Sequence, residues 1–437
     1  MTQRTEPARG MRDFLPEDVR RREYVIGIIE RVYERYGFEP LETPAVENIE
    51  TLLGKYGEEG NQLIFKILKR GEHEASGQAD LALRYDLTVP LARVVAQYQS
   101  KLPRLFKRYQ IQPVWRADRP ARGRFREFYQ CDVDALGSTS PTVEAELCAA
   151  VSDALVELGF NDFVVRLNHR QLLTSMLNSV SIPESLHGTA LVALDKLDKI
   201  GREGVIAEMA QRGIEAAAVP NLLALFDRDL TGIDGFDEAG KAALANVTAI
   251  IGLANGTSAE GRLRFDLSLA RGLSYYTGAI MEINVADLAG SLGGGGRYDN
   301  LVGMFLGQNI PACGFSLGLE RILVVMSERN MFPASLARTP ADVMIATFDA
   351  AGAPAAMRLA AGWRQAGLRV LVYPDAEKIG KQIKYADSMR IPFVALMGEN
   401  EIRDNTVTVK NLAAQTQDTY AQSDAAAKLL EGLKQRG

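Results

Sequence analysis

The chain has 437 residues, 47% of them hydrophobic and 24% charged, with a net charge of −5. It is too long for one ordinary core, so two or three domains are expected, and its composition excludes disordered and fibrous classes. No apolar run reaches the roughly 20 residues that span a bilayer, and the charged stretch from Arg4 to Glu23 is no secretory leader. Three widely spaced cysteines (Cys131, Cys148, Cys313) and three scattered histidines (His73, His169, His187) give neither a disulfide frame nor a metal site, which points to a cytoplasmic protein with reduced thiols.

Residues 17–36 carry apolar side chains at helical spacing, with Pro16 before them and Gly37 to close the helix. Residues 37–44 hold two prolines and must be extended, as an edge or interface strand. Strands are expected at 81–84, 104–116 and 124–134. The last two flank Arg119-Pro120-Ala121-Arg122-Gly123, so they form a long hairpin with a basic tip. Eight basic residues between Arg104 and Arg126 face Asp118 alone. Such a concentration in an acidic protein is suited to holding phosphate. The alternative is a solvated loop, but Phe106, Tyr109, Trp115, Phe125, Phe128 and Tyr129 interleave the arginines and supply positions that a strand can bury.

A helix over 140–159 and a strand over 163–167 follow. From 170 to about 257 the pattern is helical, as in an inserted subdomain. Strand character returns at 263–269 and 278–285, glycines crowd 290–296, and a strand at 311–316 feeds a helix at 317–329. A linker at 331–340 separates a last segment, 341–437, in which apolar runs (343–348, 368–373, 391–397) alternate with helices (353–366, 377–389, 424–435). That alternation implies an α/β domain with a largely parallel sheet. No internal repeat is present.

No GxxxxGK[ST] run occurs, and no GxGxxG opens a βαβ unit. Within 83–90, Leu-Arg-Tyr-Asp-Leu-Thr-Val-Pro, Asp86 and Thr88 stand two residues apart, which on a strand puts both on one face to hold an ammonium group. The alternative for Asp86 is a turn cap before Pro90. Gln130 and Asp134, four apart, share a face if their strand has no bulge. Residues 271–282, Arg-Gly-Leu-Ser-Tyr-Tyr-Thr-Gly-Ala-Ile-Met-Glu, place a cation beside two tyrosines. Tyr275 and Tyr276 line a pocket or divide between core and surface. Gly293–Gly296 form a flexible hairpin tip or allow close backbone approach to a ligand. Glu144 and Glu146 read as plain helix-face charges.

The order and spacing of 271–282, Gly-Gly-Gly-Gly-Arg-Tyr-Asp (293–299) and Gly-Leu-Glu-Arg (318–321) resemble the histidine-specific class II aminoacyl-tRNA synthetases. The likeness runs from Gly10-Met11-Arg12-Asp13 to the final domain. It implies an α+β fold: a catalytic core over 1–330, built as an antiparallel sheet flanked by helices with an insertion at about 170–257, then an anticodon-binding α/β domain over 341–437. It also implies ATP-dependent activation of L-histidine to histidyl-adenylate, with Mg2+, and transfer to tRNA(His) by a homodimer that has no membrane partner.

The run Trp115-Arg116-Ala117-Asp118-Arg119-Pro120 … Arg124-Phe125-Arg126-Glu127-Phe128 resembles the second class II motif. In that family the first arginine meets the α-phosphate, here Arg116, and the phenylalanine stacks on adenine, here Phe128. Asp118 and Arg124 belong to the same ATP site, and Arg321 of the third motif would hold the γ-phosphate. Residues 37–44 resemble the first, dimer-forming motif. Asp86, Thr88 and Gln130 would meet the substrate α-amino end. Asp134 and Tyr276 would bracket the imidazole with Tyr275 beside them. Arg271 and Arg116 would clamp the two anionic reactants during catalysis. Ser274 stands where many relatives carry Asp. The rival reading is a silent histidine-sensing paralogue of histidine biosynthesis; retention of Arg116, Arg271, Arg321 and the terminal domain counts against it. A ligase acting on another carrier is opposed by the same domain.

Overall fold

The helix Pro16–Arg35 opens the described fold. Pro16 sits at its first turn, where a missing N–H costs nothing, and Gly37 ends it at φ 74°. This computed structural model describes residues 5–71, 76–194, 196–215, 218–225, 236–270 and 275–434. They form two units, Met1–Phe332 and Pro333–Gly437.

The strands of the first unit are β1 (Glu39–Pro40), β2 (Val46–Asn48), β3 (Lys66–Leu68), β4 (Ala79–Leu83), β5 (Phe106–Trp115), β6 (Glu127–Leu136), β7 (Val164–His169), β8 (Leu263–Phe265), β9 (Ala279–Asn284), β10 (Gly293–Arg297) and β11 (Ala312–Gly318). Eight make one sheet in the order β1-β5-β6-β11-β10-β9-β7-β8, antiparallel inside and parallel at both ends. The sheet is therefore mixed, with β1 on its edge. A three-stranded sheet, β2-β4-β3, stands apart.

Gly293–Gly296 are not a hairpin tip. They form β10, an interior strand between β9 and β11. A side chain at Gly295 would stand 2.2 Å from the Gly314 carbonyl oxygen, so only glycine lets these backbones approach so closely.

The two faces of the large sheet differ in chemistry. Strand alternation sends Tyr109, Cys131, Val133, Cys313, Phe315, Leu317, Met281 and Ile283 to one face. There they join the core built with the helices Pro16–Arg35, Thr142–Glu157 and Leu319–Glu328. Glu144 is not a plain surface charge. It is fully buried and grips Arg297 through two bonds of 2.6 and 2.9 Å, while Glu146 pairs with Lys107. The other face carries Arg108, Gln110, Gln112, Gln130, Asp132, Asp134 and Ser316. Helices between 170 and 253 pack into a cluster of their own, which Ile280 joins. His169 caps the first of them, its Nδ1 accepting the Gln171 N–H at 3.2 Å.

In the second unit the strands are β12 (Val343–Thr347), β13 (Val370–Val372), β14 (Phe393–Met397), β15 (Thr406–Asn411) and β16 (Thr416–Ala421), in the order β13-β12-β14-β15-β16. The first three are parallel. The last two form an antiparallel hairpin that the sequence reading left out. Helices Ala353–Gln365, Ile379–Ser388 and Gln422–Lys434 accompany the sheet.

Candidate active site

The polar face of the large sheet gathers most of the candidate residues. Gln130, Asp132 and Asp134 alternate along β6 and point to one side. Across the strand pairs, Asp134 lies opposite Arg108 and Gly314, and Asp132 opposite Gln110 and Ser316. The Gln130 amide donates to the Ser316 hydroxyl at 3.0 Å.

Glycines shape the floor. A Cβ at Gly314 would stand 1.9 Å from the Asp134 carboxylate, and one at Gly296 would stand 3.0 Å from the Tyr276 ring. Gly296 and Gly314 are directly paired. The Asp134 carboxylate and the Tyr276 ring therefore lie over neighbouring bare positions, about one strand spacing (~4.8 Å) apart. A carboxylate and a phenol so placed suit a flat ring that donates at one edge and accepts at the other.

Asp86 and Thr88 do not share a strand face. β4 ends at Leu83, Asp86 lies in a turn, and Thr88 begins the helix Thr88–Tyr98. Pro90 stands in that helix's first turn, where proline is tolerated, so it ends no strand. Asp86 is buried and accepts three bonds of 3.0 Å, from the Val89 N–H and the hydroxyls of Tyr56 and Tyr275. It is a turn cap and also part of a phenol–carboxylate network. Thr88 lies near enough to Tyr275 to act on its hydroxyl. Tyr275 is buried and meets Tyr276 edge-to-face at 5.2 Å. Tyr276 is half-buried, and burial raises its pKa.

The hairpin between β5 and β6 carries the proposed nucleotide residues. The Arg116 guanidinium lies 4.2 Å from the Tyr85 ring and 5.2 Å from that of Phe128, and its Nε donates to the Tyr85 carbonyl at 3.0 Å. Arg124 is exposed and 3.9 Å from Asp118. The helix Leu319–Glu328 brings Arg321 beneath the hairpin tip: a Cβ at Gly123 would stand 3.3 Å from its side chain, and its guanidinium donates to the Ser291 carbonyl. Glu320 locks this arrangement, bonding Arg22 at 2.9 Å and accepting the Tyr129 N–H at 2.9 Å. Arg271, together with Ser274, lies outside the described residues, as does His73.

Several site residues escaped the sequence reading. Arg108 is fully buried, with Nη2 at 2.8 Å from Asp134 and 3.7 Å from Asp132. Tyr298 donates its hydroxyl to Asp134. Burial raises the pKa values of Asp86 and Asp134 and pushes that of Asp132 up to about 7, with the Arg108 charge opposing the rise at Asp132 and Asp134. Among the described residues no group of three or more His, Cys, Asp or Glu is placed to hold a metal ion. No described helix is long and apolar enough to cross a membrane.

A mixed sheet that offers arginines and carboxylates on one face, with a basic hairpin at its end and no glycine-rich phosphate loop, is the catalytic core of a class II aminoacyl-tRNA synthetase. Residues 10–322 match the histidyl-tRNA synthetase family and residues 342–432 match the anticodon-binding domain family. The histidine–tRNA ligase of Cytophaga hutchinsonii is 40% identical over 97% of this chain and 98% of its own length. That of Gloeobacter violaceus is 40% identical over 94% and 95%. The crystal structure of histidyl-tRNA synthetase from Nostoc sp. superposes with a TM-score of 0.78 at 30% identity, covering 98% of this chain and all of that one. A Bacillus halodurans structure described as an ATP phosphoribosyltransferase regulatory subunit/histidyl-tRNA synthetase shares the fold, with a TM-score of 0.71 at 24% identity over 91% of this chain and 98% of that one. The chain belongs to the histidyl-tRNA synthetase family.

Proposed function

We propose a division of labour within this chain, which as a family member is a histidine–tRNA ligase with histidine, ATP and tRNA(His) as substrates. Histidine lies on the polar face of the large sheet. Its imidazole sits between Asp134 and Tyr276, with Tyr275 behind. Its α-ammonium meets Gln130, Thr88 and Asp86, the last through the phenol network. ATP lies along the hairpin, its adenine on Phe128 beside Asp118 and Arg124, its α-phosphate at Arg116 and its γ-phosphate at Arg321. It enters as the magnesium complex.

The histidine carboxylate is already a nucleophile, so the activation step requires no general base. It attacks the α-phosphorus and pyrophosphate leaves. Both reactants are anionic, and Arg116 with Arg271 offsets their repulsion and the charge that grows on the phosphate oxygens. A fixed guanidinium of this kind contributes about 10²–10³ in rate. The adenylate then passes its acyl group to the tRNA 3′ end. The boundaries of the working parts are 1–330 for catalysis, with the insertion at about 170–257, 331–340 for the linker and 341–437 for the anticodon. The chain works in the cytoplasm as a homodimer, with β1 and residues 37–44 at the interface.

The observation that carries this reading is the Asp134 carboxylate and Tyr276 ring lying over two directly paired glycines. Pyrophosphate exchange into ATP, run separately with each of the twenty amino acids, tests it. Exchange is expected with histidine alone. Activation of another amino acid overturns the specificity, and no exchange at all returns the sensor reading. Light scattering tests the dimer.

A further inference from the structure

Two carboxylates on β6 share one arginine. Asp132 and Asp134 stand two residues apart on the same face, each about 2% exposed. Arg108 is 2.8 Å from Asp134 but 3.7 Å from Asp132. The inventory of facing groups is one-sided. From β5 come Arg108 and the neutral Gln110, and from β11 come Ser316, directly opposite Asp132, and the bare Gly314. From the turn after β4 comes the third carboxylate, Asp86. Arg84 acts on Asp132 from the same turn, but its guanidinium is spent on Thr43, Pro113 and Gln112. From the segments before β9 and after β10 come the phenols of Tyr276 and Tyr298. Arg271 is outside the described residues. Asp132 Oδ1, Gln130 Oε1, Gln110 Oε1 and two Arg108 nitrogens are buried without hydrogen-bond partners among the described residues. Natural proteins leave few such atoms, and a cluster of them marks a place completed by something else.

We propose that Asp132 is a specificity-determining residue of the histidine site: with Asp134 it holds one shared proton before histidine arrives, and the pair releases that proton to solvent as the positively charged substrate enters. The inference rests on the proposed placement of histidine over Gln130 and Asp134. Its physics is general. Two adjacent buried carboxylates with one close guanidinium between them do not both ionise easily. A bound ammonium, or an imidazole N–H donor, supplies the missing positive potential, and the proton leaves. The pocket becomes fully anionic only when a cationic ligand is present. A neutral ligand of similar shape would leave the proton in place and forgo that attraction. The rise of the Asp132 pKa to about 7 places the exchange in the physiological range.

The test is calorimetric titration of histidine into the full chain, without ATP, at pH 7 in two buffers of different ionisation enthalpy. For a group titrating near 7, roughly half a proton per histidine should be released, so the observed enthalpies should differ between buffers. Affinity should rise as pH rises through 7, because less proton remains to be displaced. Asp132→Asn, which cannot hold the shared proton, should abolish the buffer dependence. Binding with no buffer dependence in the unaltered chain, or with proton uptake, overturns the proposal while leaving the site reading intact. Undiminished release in Asp132→Asn that still binds histidine overturns it as well. Failure of the unaltered chain to bind histidine overturns the site reading itself.

Discussion

The two faces of the eight-stranded sheet are one residue apart along every strand and opposite in character. Cys131, Val133, Cys313 and Phe315 point into a dry core, whereas Gln130, Asp132, Asp134 and Ser316, their chain neighbours, point the other way, and Gln130 and Asp132 each keep a polar atom unpaired among the described residues. Side-chain alternation therefore separates the residues that hold the fold from the residues that give it a use. A substitution on one face should act on stability, and the same type of substitution on the other should act on chemistry.

Phe315→Ala should produce the largest effect and test the dry face. Phe315 is 2% exposed, and emptying a buried aromatic position costs about 3–5 kcal/mol. Urea denaturation should show a loss of unfolding free energy of that size. Histidine exchange per folded molecule, measured well below the transition, should stay near normal. If exchange falls as steeply as stability, the faces are not separable in this way.

Arg116→Ala is the counterpart on the polar side. Pyrophosphate exchange should fall by about 10²–10³, with the thermal midpoint little changed. The Arg116 guanidinium lies beside the Tyr85 and Phe128 rings, and Tyr85 stays packed on Tyr56, 4.5 Å away, without it. Arg271→Ala should behave alike in exchange. A variant of either that exchanges at the normal rate removes that arginine from the mechanism.

Much of this contrast can be read along one strand, and much of the rest cannot. Spacing alone puts Gln130 and Asp134 on one face of one strand, because alternation is a local property. It says nothing of Arg108, which counts only as one more positive charge until register sets it opposite Asp134. Tyr298 reaches Asp134 across 164 positions of sequence, and Tyr275 reaches Asp86 across 189. Of the two readings of Asp86, the shared strand face with Thr88 fails because β4 ends at Leu83, and the turn cap holds, since Asp86 accepts the Val89 N–H just before a helix with Pro90 in its first turn. The glycines of β10 read as a loop because glycine is rare in strands; the close packing of backbone against β11 is visible only in the sheet. The hairpin β15–β16 had its signal in the alternating Thr406-Val407-Thr408-Val409, overshadowed by the longer apolar runs before it.

A subtler difference concerns pH. The folded protein raises the Asp132 pKa to about 7, from an unfolded value near 3.9. For a carboxyl group raised in this way, the folded state binds its proton more tightly. The contribution is present in full below the unfolded value and is lost as pH rises through 7. Asp132→Asn, neutral at every pH, should escape that loss. Relative to the unaltered chain it should gain stability between pH 5 and pH 8, on the order of 2 kcal/mol given that Asp134 shares the titration. Parallel urea curves at the two pH values check the sign. No relative gain would mean that Asp132 is ionised throughout and that the polar face carries more positive potential than Arg108 supplies.

Arg122→Ala should do least to the fold and separate the two steps of the reaction. Arg122 sits at the exposed hairpin tip, bonded to Glu328 and to the Asp287 carbonyl. Water screens such a contact, so the thermal midpoint should not move measurably. Exchange should also persist, because Arg116, Phe128 and Arg321 are untouched. The resemblance to the family implies that the tip meets the acceptor end of tRNA, where the lost cation would help to hold a phosphate backbone. The KM for tRNA in the charging reaction should rise a few-fold, and the rise should shrink in high salt as the electrostatic share of binding is screened in both proteins. Equal losses in exchange and charging would place Arg122 in the ATP site. A salt-independent change in charging would mean that the tip acts through its bond to Glu328, by holding the hairpin against the helix that carries Arg321.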